Sequence, residues 1–193
     1  MALSAGPAGV LGGAFDPPHV GHVALARAAV AHFGLARLLV RVVADPGHKR
    51  VVAPAGVRLE LAQAAFAGLP PAEVSLDPHA RTVDSLVALG LEEPVFLLGE
   101  DELADFPRWK EPGRVLELAR LGVATRPGVP RAALERVIKG LSRPERVELF
   151  AIEPHDVSSA DIRARVRRGE SITGLVAPAV EAAIRRHGLY RAR

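Results

Sequence analysis

The chain has 193 residues, of which 49% are hydrophobic, so it is long enough to bury a sizeable core in one domain. It contains no cysteine, which excludes disulfide bonds and thiolate metal sites. The formal net charge is +3, and only 4% of the residues are aromatic.

The positive charge is concentrated near the C-terminus, where residues 160–193 contain eight arginines and three acidic residues. Because basic and aromatic residues do not alternate there, a small molecule that carries phosphate is favoured over nucleic acid as the partner. Residues 1–7 lack a basic segment followed by a long apolar one, and no run of about 18 apolar residues follows. We therefore expect a cytoplasmic protein that binds neither nucleic acid nor membranes; a homo-oligomer is left open.

Strand and helix patterns alternate along the chain. The residue patterns predict strands at 10–11, 38–43, 74–76, 94–98, 121–125 and 147–152. They predict helices at 23–33, 57–66, 82–89, from 100 onward, at 131–139 and from 158 onward, with Thr82 and Ser158 as N-caps. This alternation predicts a doubly wound α/β fold with a mostly parallel sheet, in a single domain of residues 1–193 whose segment 158–193 is helical. Ligands bind such sheets at the carboxyl ends of the strands, so we expect the chemistry in the loops after strands one, two, four and six.

The stretch between the first strand and the first helix has the features of a phosphate site. It reads Gly12-Gly13-Ala14-Phe15-Asp16-Pro17-Pro18-His19-Val20-Gly21-His22. The paired glycines allow a ligand to approach the backbone closely, and the prolines suit a helix entry. His19 and His22 lie three residues apart, so both imidazoles share one face beside the free N–H groups of the helix start.

Two other nucleotide-binding motifs are absent from the sequence. No Gly-x-Gly-x-x-Gly opens this helix, and no Gly-x-x-x-x-Gly-Lys-Ser/Thr occurs in the chain. The sequence therefore supports neither a dinucleotide-binding dehydrogenase nor a P-loop NTPase.

The first motif resembles the signature of the nucleotidylyltransferase superfamily, and it is most similar to that of the bacterial nicotinate mononucleotide adenylyltransferases. The resemblance extends from about residue 9 to residue 190. It implies that His19 and His22 are catalytic and that Asp16 contacts the acceptor substrate. It also places Gly12, Gly13, Phe15 and Gly21 in the ATP site.

Four later segments are similar to the parts of this family that bind the acceptor and the adenosine. Pro46-Gly47-His48-Lys49 implies a phosphate contact for Lys49, and Arg81-Thr82-Val83-Asp84 implies acceptor contacts for Thr82 and Asp84. Gly99-Glu100-Asp101 implies that Gly99 and Asp101 lie at the adenosine. Trp109 is expected to stack on the nicotinate ring, and Arg126 is expected to contact the substrate.

The segment Val157 to Arg163 is the second strong match to the family. Ser158, followed by Asp161 three residues later, is typical of a helix N-cap with Ile162 facing inward. The resemblance implies that Ser159 and Arg163 grip the β- and γ-phosphates of ATP, with Arg163 catalytic and Ser158 and Ile162 in the same site.

The resemblance implies a reaction in which the 5′-phosphate of a pyridine mononucleotide attacks the α-phosphorus of ATP and pyrophosphate leaves. It implies Mg²⁺ held mainly by the ATP phosphates, without a metal site made by the protein. Arg81, Glu100 and Ala160 depart from the family pattern. An adenylyltransferase with another acceptor, such as nicotinamide mononucleotide or, less favoured, phosphopantetheine, is therefore an alternative. Two further alternatives are a non-catalytic nucleotide-binding module and nucleic-acid binding by the basic C-terminal segment.

Overall fold

A six-stranded parallel sheet forms the centre of the fold. The computed structural model describes residues 6–47, 50–126 and 131–192. The strands are β1 (Ala8–Gly13), β2 (Arg37–Val43), β3 (Ala72–Asp77), β4 (Val95–Gly99), β5 (Arg120–Thr125) and β6 (Val147–Ala151). Their order is β3-β2-β1-β4-β5-β6, and every neighbouring pair is parallel.

Helices connect the strands and continue after the last one. The helices are α1 (Val20–Phe33), α2 (Ala55–Phe66), α3 (Thr82–Leu89), α4 (Glu100–Asp105), α5 (Pro112–Leu118), α6 (Arg131–Lys139), α7 (Ser159–Arg168) and α8 (Pro178–Arg186). Short 3₁₀ helices cover Phe106–Arg108 and Pro144–Arg146. None of the helices in the described ranges is both long and apolar enough to cross a membrane.

Both faces of the sheet are covered, as the continuous apolar strands require. On one face, Leu38 and Val40 of β2 pack in a cluster with Ile162 of α7 and Ile184 of α8. On the other face, the cluster contains side chains of β1, β2, β4 and β5 together with residues of α3 to α6. Its fully or largely buried members include Val10, Leu39, Phe96, Leu86, Leu116 and Leu134. The predicted doubly wound parallel fold is confirmed.

The strand order reverses at β1, which lies between β2 and β4. The chain moves outward from β1 through β2 to β3, then returns to pair β4 with the other side of β1. A crevice therefore opens at the carboxyl ends of β1 and β4, where Gly13 and Gly99 end their strands.

The helix predictions were accurate to within a few residues, with two exceptions. Helix α5 was not predicted, because its seven residues are too few to show a helical period. Thr82 is not the N-cap of α3: Arg81 occupies that position, with extended backbone and no side-chain capping bond. The predicted cap at Ser158 is confirmed, since its Oγ accepts the Asp161 N–H at 3.0 Å.

Candidate active site

The loop after β1 is shaped by close packing beneath the two histidines. Phe15 has a φ of 49°, in the left-handed region. Gly13 allows this turn, because a Cβ there would lie 3.0 Å from the Phe15 ring. That ring is buried and meets the His22 imidazole edge-on, with the centroids 5.1 Å apart. The Phe15 ring thus packs against His22 inside the protein. A contact between Phe15 and a nucleotide would have to come from the Phe15 backbone.

His19 and His22 lie together at the N-terminus of α1, as their spacing predicts. His19 is the N-cap residue, and the ring centroids are 3.8 Å apart. The His19 backbone N–H donates to His22 Nδ1 at 3.2 Å, which orients the second ring. Gly21 makes room for the pair, since a Cβ there would lie 3.1 Å from His19 Nδ1.

The environment of His19 keeps this imidazole neutral near pH 7. Burial is the larger cause and the nearby His155 the smaller one, and together they lower the pKa of His19 to about 4. Its Nδ1 atom is buried and has no hydrogen-bond partner among the described residues. A neutral imidazole still has one N–H to donate, so His19 suits an uncharged hydrogen-bond donor to a phosphate oxygen. His155 was not identified from the sequence, since nothing in its local pattern marks it.

Helix α7 is fastened to the same loop by two long-range hydrogen bonds. The Ser159 hydroxyl donates to the Pro17 carbonyl at 2.8 Å, and Arg163 Nη1 donates to the Asp16 carbonyl at 2.7 Å. These bonds bring the N-terminus of α7 next to that of α1. Two helix starts and two histidines therefore meet at one place with the Arg163 guanidinium.

The Asp16 side chain holds loops together inside the protein. It is buried, and its carboxylate accepts the N–H groups of Val52 at 2.6 Å and Ala53 at 3.2 Å. The Tyr190 hydroxyl donates to the same carboxylate at 2.7 Å. Burial, followed by this hydrogen bond, raises the pKa of Tyr190 far above its usual range. With its carboxylate engaged in this way, Asp16 fixes the loop geometry; a contact between Asp16 and the acceptor stays a prediction.

Arg58 of α2 ties together the ends of β1 and β2. The side chain is buried, and it donates to the carbonyls of Ala14, Val43, Ala44 and Ala53 at 2.6 to 3.0 Å. Burial lowers the pKa of Arg58, yet four acceptors compensate the guanidinium. Sequence reasoning missed Arg58. The available signal was its spacing: Arg58 lies three and four residues before the buried Leu61 and Ala62, so it shares their face of α2.

On the other side of the crevice, Arg126 is paired with acidic residues at the start of α4. Its Nε donates to the buried Glu100 at 2.9 Å, and its Nη2 lies 3.4 Å from the exposed Asp101. The Gly99 N–H donates to Glu102 at 2.9 Å. Glu100, which departs from the family pattern, thus positions Arg126 at the end of β5.

Two of the residues predicted to bind the acceptor, Thr82 and Asp84, lie in the first turn of α3. Lys110 forms an ion pair with Asp84 at 2.8 Å, and Thr82 is the half-buried first residue of the helix. The Trp109 ring meets the Phe96 ring edge-on, with the centroids 6.1 Å apart. Lys49, the predicted phosphate contact after β2, lies outside the described residues.

Comparisons with known proteins show the family of this chain. The cytidylyltransferase-like family model matches residues 10–165. A "Probable nicotinate-nucleotide adenylyltransferase" of Thermomicrobium roseum is 40% identical, over 95% of this chain and 91% of the relative. Another protein of that name, from Bordetella petrii, is 38% identical over 95% and 98% of the two chains.

The chain belongs to the nicotinate-nucleotide adenylyltransferase family, within the cytidylyltransferase-like proteins. The resemblance predicted from the sequence is thereby confirmed.

Solved structures of low sequence identity share the fold of this family member. The Plasmodium falciparum nicotinic acid mononucleotide adenylyltransferase complexed with NaAD superposes with a TM-score of 0.78 at 16% identity, covering 96% of this chain and 97% of that one. The same protein complexed with APC gives a TM-score of 0.74 at 15% identity, over 96% and 97% of the two chains. At these identities the likeness shows the fold.

One residue carried over from the family motif belongs to the core of this member. Ile162 is fully buried, and its N–H donates to the Ser158 carbonyl at 3.0 Å. Its side chain packs in the core and its N–H is engaged within α7, and the ATP contact of Ile162 stays a prediction. The neighbouring Ser159 and Arg163 are only partly buried.

The site is rich in hydrogen-bond donors. Within residues 6–47, 50–126 and 131–192, no cluster of three or more His, Cys, Asp or Glu side chains could hold a metal ion. The Asp16 carboxylate, the acidic group closest in sequence to the histidines, accepts three hydrogen bonds of its own. Histidines, a guanidinium and helix starts favour a polyanion such as a nucleoside triphosphate.

Proposed function

We propose that this chain transfers the adenylyl group of ATP to nicotinate mononucleotide, giving deamido-NAD and pyrophosphate in NAD biosynthesis. Its curated relatives at 35–40% identity carry the name of this activity. The observation that carries the proposal is the anchoring of α7 to the β1 loop through Ser159 and Arg163. This contact unites the two motifs that the family uses for ATP.

In the proposed reaction an oxygen of the acceptor's 5′-phosphate attacks the α-phosphorus of ATP in line. The bond from that phosphorus to the bridging oxygen breaks, and pyrophosphate departs with the electron pair. Such a transfer needs no covalent enzyme intermediate, because positioning and charge neutralisation supply the catalysis.

His19 and His22 donate hydrogen bonds to oxygens of the α-phosphate and the leaving group. Both rings lie at the positive end of α1, so charge that develops on these oxygens is stabilised by a fixed environment. Arg163 and Ser159 bind the departing pyrophosphate. Gly12, Gly13 and Gly21 allow the nucleotide to approach the backbone closely.

The adenosine side is assigned to Gly99 and Asp101, and the acceptor side to Thr82, Asp84 and Trp109. Asp101 is exposed, so its carboxylate can accept hydrogen bonds from ribose hydroxyls beside its 3.4 Å contact with Arg126 Nη2. Arg126, Lys49 and Asp16 complete the set of assigned acceptor-binding residues.

Mg²⁺ fits this site as a partner of the ATP phosphates. Mg²⁺ prefers oxygen ligands and keeps several waters, and the described residues offer donors instead of a carboxylate cage. When bound by phosphate oxygens, the ion neutralises part of their charge.

The test is pyrophosphate release from Mg-ATP with nicotinate mononucleotide, nicotinamide mononucleotide or phosphopantetheine, each assayed separately. We expect turnover with the nicotinate compound to exceed turnover with the other two. His19→Ala should reduce it by about a hundredfold or more, as expected for a donor at the reacting phosphate. Unchanged turnover in this variant would contradict the mechanism, and turnover only with another acceptor would contradict the substrate. ATP binding without release of pyrophosphate from ATP in the presence of any of the three acceptors would indicate a binding module.

A further inference from the structure

An open depression lies over the sheet at Gly12, although β1 is a central strand. Gly12 is exposed, while Val10 and Leu11 in the same strand are buried. Among the described residues, only the Phe96 ring lies within 4 Å of where a Gly12 Cβ would be, at 3.6 Å. Since Trp109 packs edge-on against Phe96, one wall of the depression is aromatic.

Arg41 of β2 forms the opposite wall. Its Cα pairs with that of Gly12 in the parallel register, so both residues face the same side of the sheet. Arg41 Nη1 donates to the Ser75 hydroxyl at 2.7 Å, and Nη2 lies 3.5 Å from the Asp77 carboxylate. Because Asp77 is the last residue of β3, the guanidinium leans toward the carboxyl edge of the sheet, where ligands bind.

The guanidinium has more donors than these contacts use. Arginine carries five N–H groups, and the contacts to Ser75 and Asp77 occupy two of them. The Nε atom is buried and has no hydrogen-bond partner in the part of the chain that the structure describes. Asp77 also accepts the Ser85 hydroxyl and the His79 N–H, so its charge is shared among several donors. A fixed cation with unused donors thus borders the depression.

Two other cations of the described site, Lys110 and Arg126, form shorter ion pairs with carboxylates than Arg41 does. Lys110 is held by Asp84, and Arg126 by Glu100. Arg41 differs from these in being largely buried, with only 16% of its side chain exposed. A planar guanidinium binds a carboxylate through two parallel hydrogen bonds, and this pairing is strongest where water is excluded.

We propose that Arg41 is a specificity-determining residue whose guanidinium binds the carboxylate of the acceptor's pyridine ring. The inference rests on the proposed function, which places this ring beside Trp109. A carboxamide offers the guanidinium one neutral carbonyl oxygen in place of two charged ones, so Arg41 favours the acid over the amide. The sequence carries a signal of this role, since Arg41 is the one charged residue in the apolar run 38–43.

The experiment compares kcat/KM for nicotinate and nicotinamide mononucleotides in the wild type and in Arg41→Gln. Glutamine is polar enough to stay near Ser75 but has no charge. We expect kcat/KM for the acid to fall by about ten- to a hundredfold, the range for a lost charge-assisted hydrogen bond, and that for the amide to stay within about twofold. Both kcat/KM values are measured on the same protein sample. A loss of folded enzyme lowers both by the same factor, so the ratio of acid to amide does not change.

Two further variants separate the role of Arg41 from general effects of charge and folding. Arg37→Gln removes a cation from the exposed start of the same strand, where Arg37 pairs with Glu73 at 2.8 Å, and should leave the ratio unchanged. Arg41→Lys keeps the charge but loses the bidentate geometry, so the ratio should fall by less than in Arg41→Gln. Arg41→Lys also serves as the test should Arg41→Gln fail to fold.

The possible failures are distinguishable. A wild type that releases no pyrophosphate with nicotinate mononucleotide overturns the proposed function, and this inference with it. A wild type that prefers the acid, combined with variants in which both substrates lose activity equally, overturns the inference alone. Arg41 would then only hold β3 and α3 in place.

Discussion

The hydrogen bond from Tyr190 to Asp16 allows a sharp test of how the C-terminus stabilises the site. Tyr190→Phe removes one hydroxyl and leaves the buried carboxylate with its two backbone donors. A hydrogen bond to a charged group contributes about 1.5–3 kcal/mol, so we expect the free energy of unfolding to fall by about 2 kcal/mol at pH 8. For a chain of this size the melting temperature should fall by about 4–8 °C.

The same bond predicts how this difference changes at high pH. Tyr190 is the only tyrosine in the chain, and its pKa is raised by burial and by Asp16. The unfolded chain releases the tyrosine proton near pH 10, whereas the folded chain keeps it, so the wild type loses stability as the pH rises through 10. This loss reaches about 0.8 kcal/mol by pH 10.5 and is absent in Tyr190→Phe. The gap between the two proteins should therefore shrink from about 2 to about 1 kcal/mol.

The measurement is urea unfolding of both proteins at pH 8 and pH 10.5. Thr125→Val is a matched control, because it removes a neutral hydroxyl bond to the Phe150 carbonyl, 3.1 Å long. It should destabilise by about 0.5–1.5 kcal/mol at both pH values. The reasoning is refuted if Tyr190→Phe changes the stability by less than about 0.5 kcal/mol, or if its gap to the wild type is the same at both pH values.

Three further outcomes are expected. Gly21→Ala should leave stability unchanged but lower kcat/KM about three- to tenfold, because the new Cβ would lie 3.1 Å from His19 and displace its ring. Gly56→Ala in α2 is the control: a Cβ there has no atom within 4 Å, so kcat/KM should not change. The pKa of His19 is lowered to about 4, so the unfolded chain binds a proton at this residue before the folded chain does. The free energy of unfolding, measured in urea, should therefore fall by about 3 kcal/mol as the pH drops from 6.5 to 4, and His19→Asn should remove this dependence. Ile162→Val should reduce the free energy of unfolding by about 0.5–1.5 kcal/mol and leave the KM for ATP unaltered, because this side chain is fully buried. A raised KM with full stability would instead support the ATP contact predicted from the motif.

The elements of the fold were predictable because their signals are local. Apolar runs such as 38–43 and 121–125 predict strands, and the structure confirms both. The pairing of His19 and His22 was equally local, since a spacing of three residues at a helix start fixes their shared face.

Motif matching alone could not separate ligand contacts from supporting core residues. Phe15 and Ile162 both belong to matched segments, yet both side chains are buried in the core. Arg58 carries no motif and still binds the carbonyls at the ends of two strands. Which of these side chains faces the crevice depends on packing against elements far away in the chain.

The sequence by itself determined the order of strands and helices, the pairing of two histidines at a helix start and the family. Only the tertiary structure decided which distant residues complete the site. Tyr190 reaches Asp16 across 174 positions, and Arg163 reaches it across 147. Periodicity and capping act over a few residues, so they are visible in the sequence. The hydrogen-bond partners of a buried carboxylate depend on how the whole sheet and its helices pack.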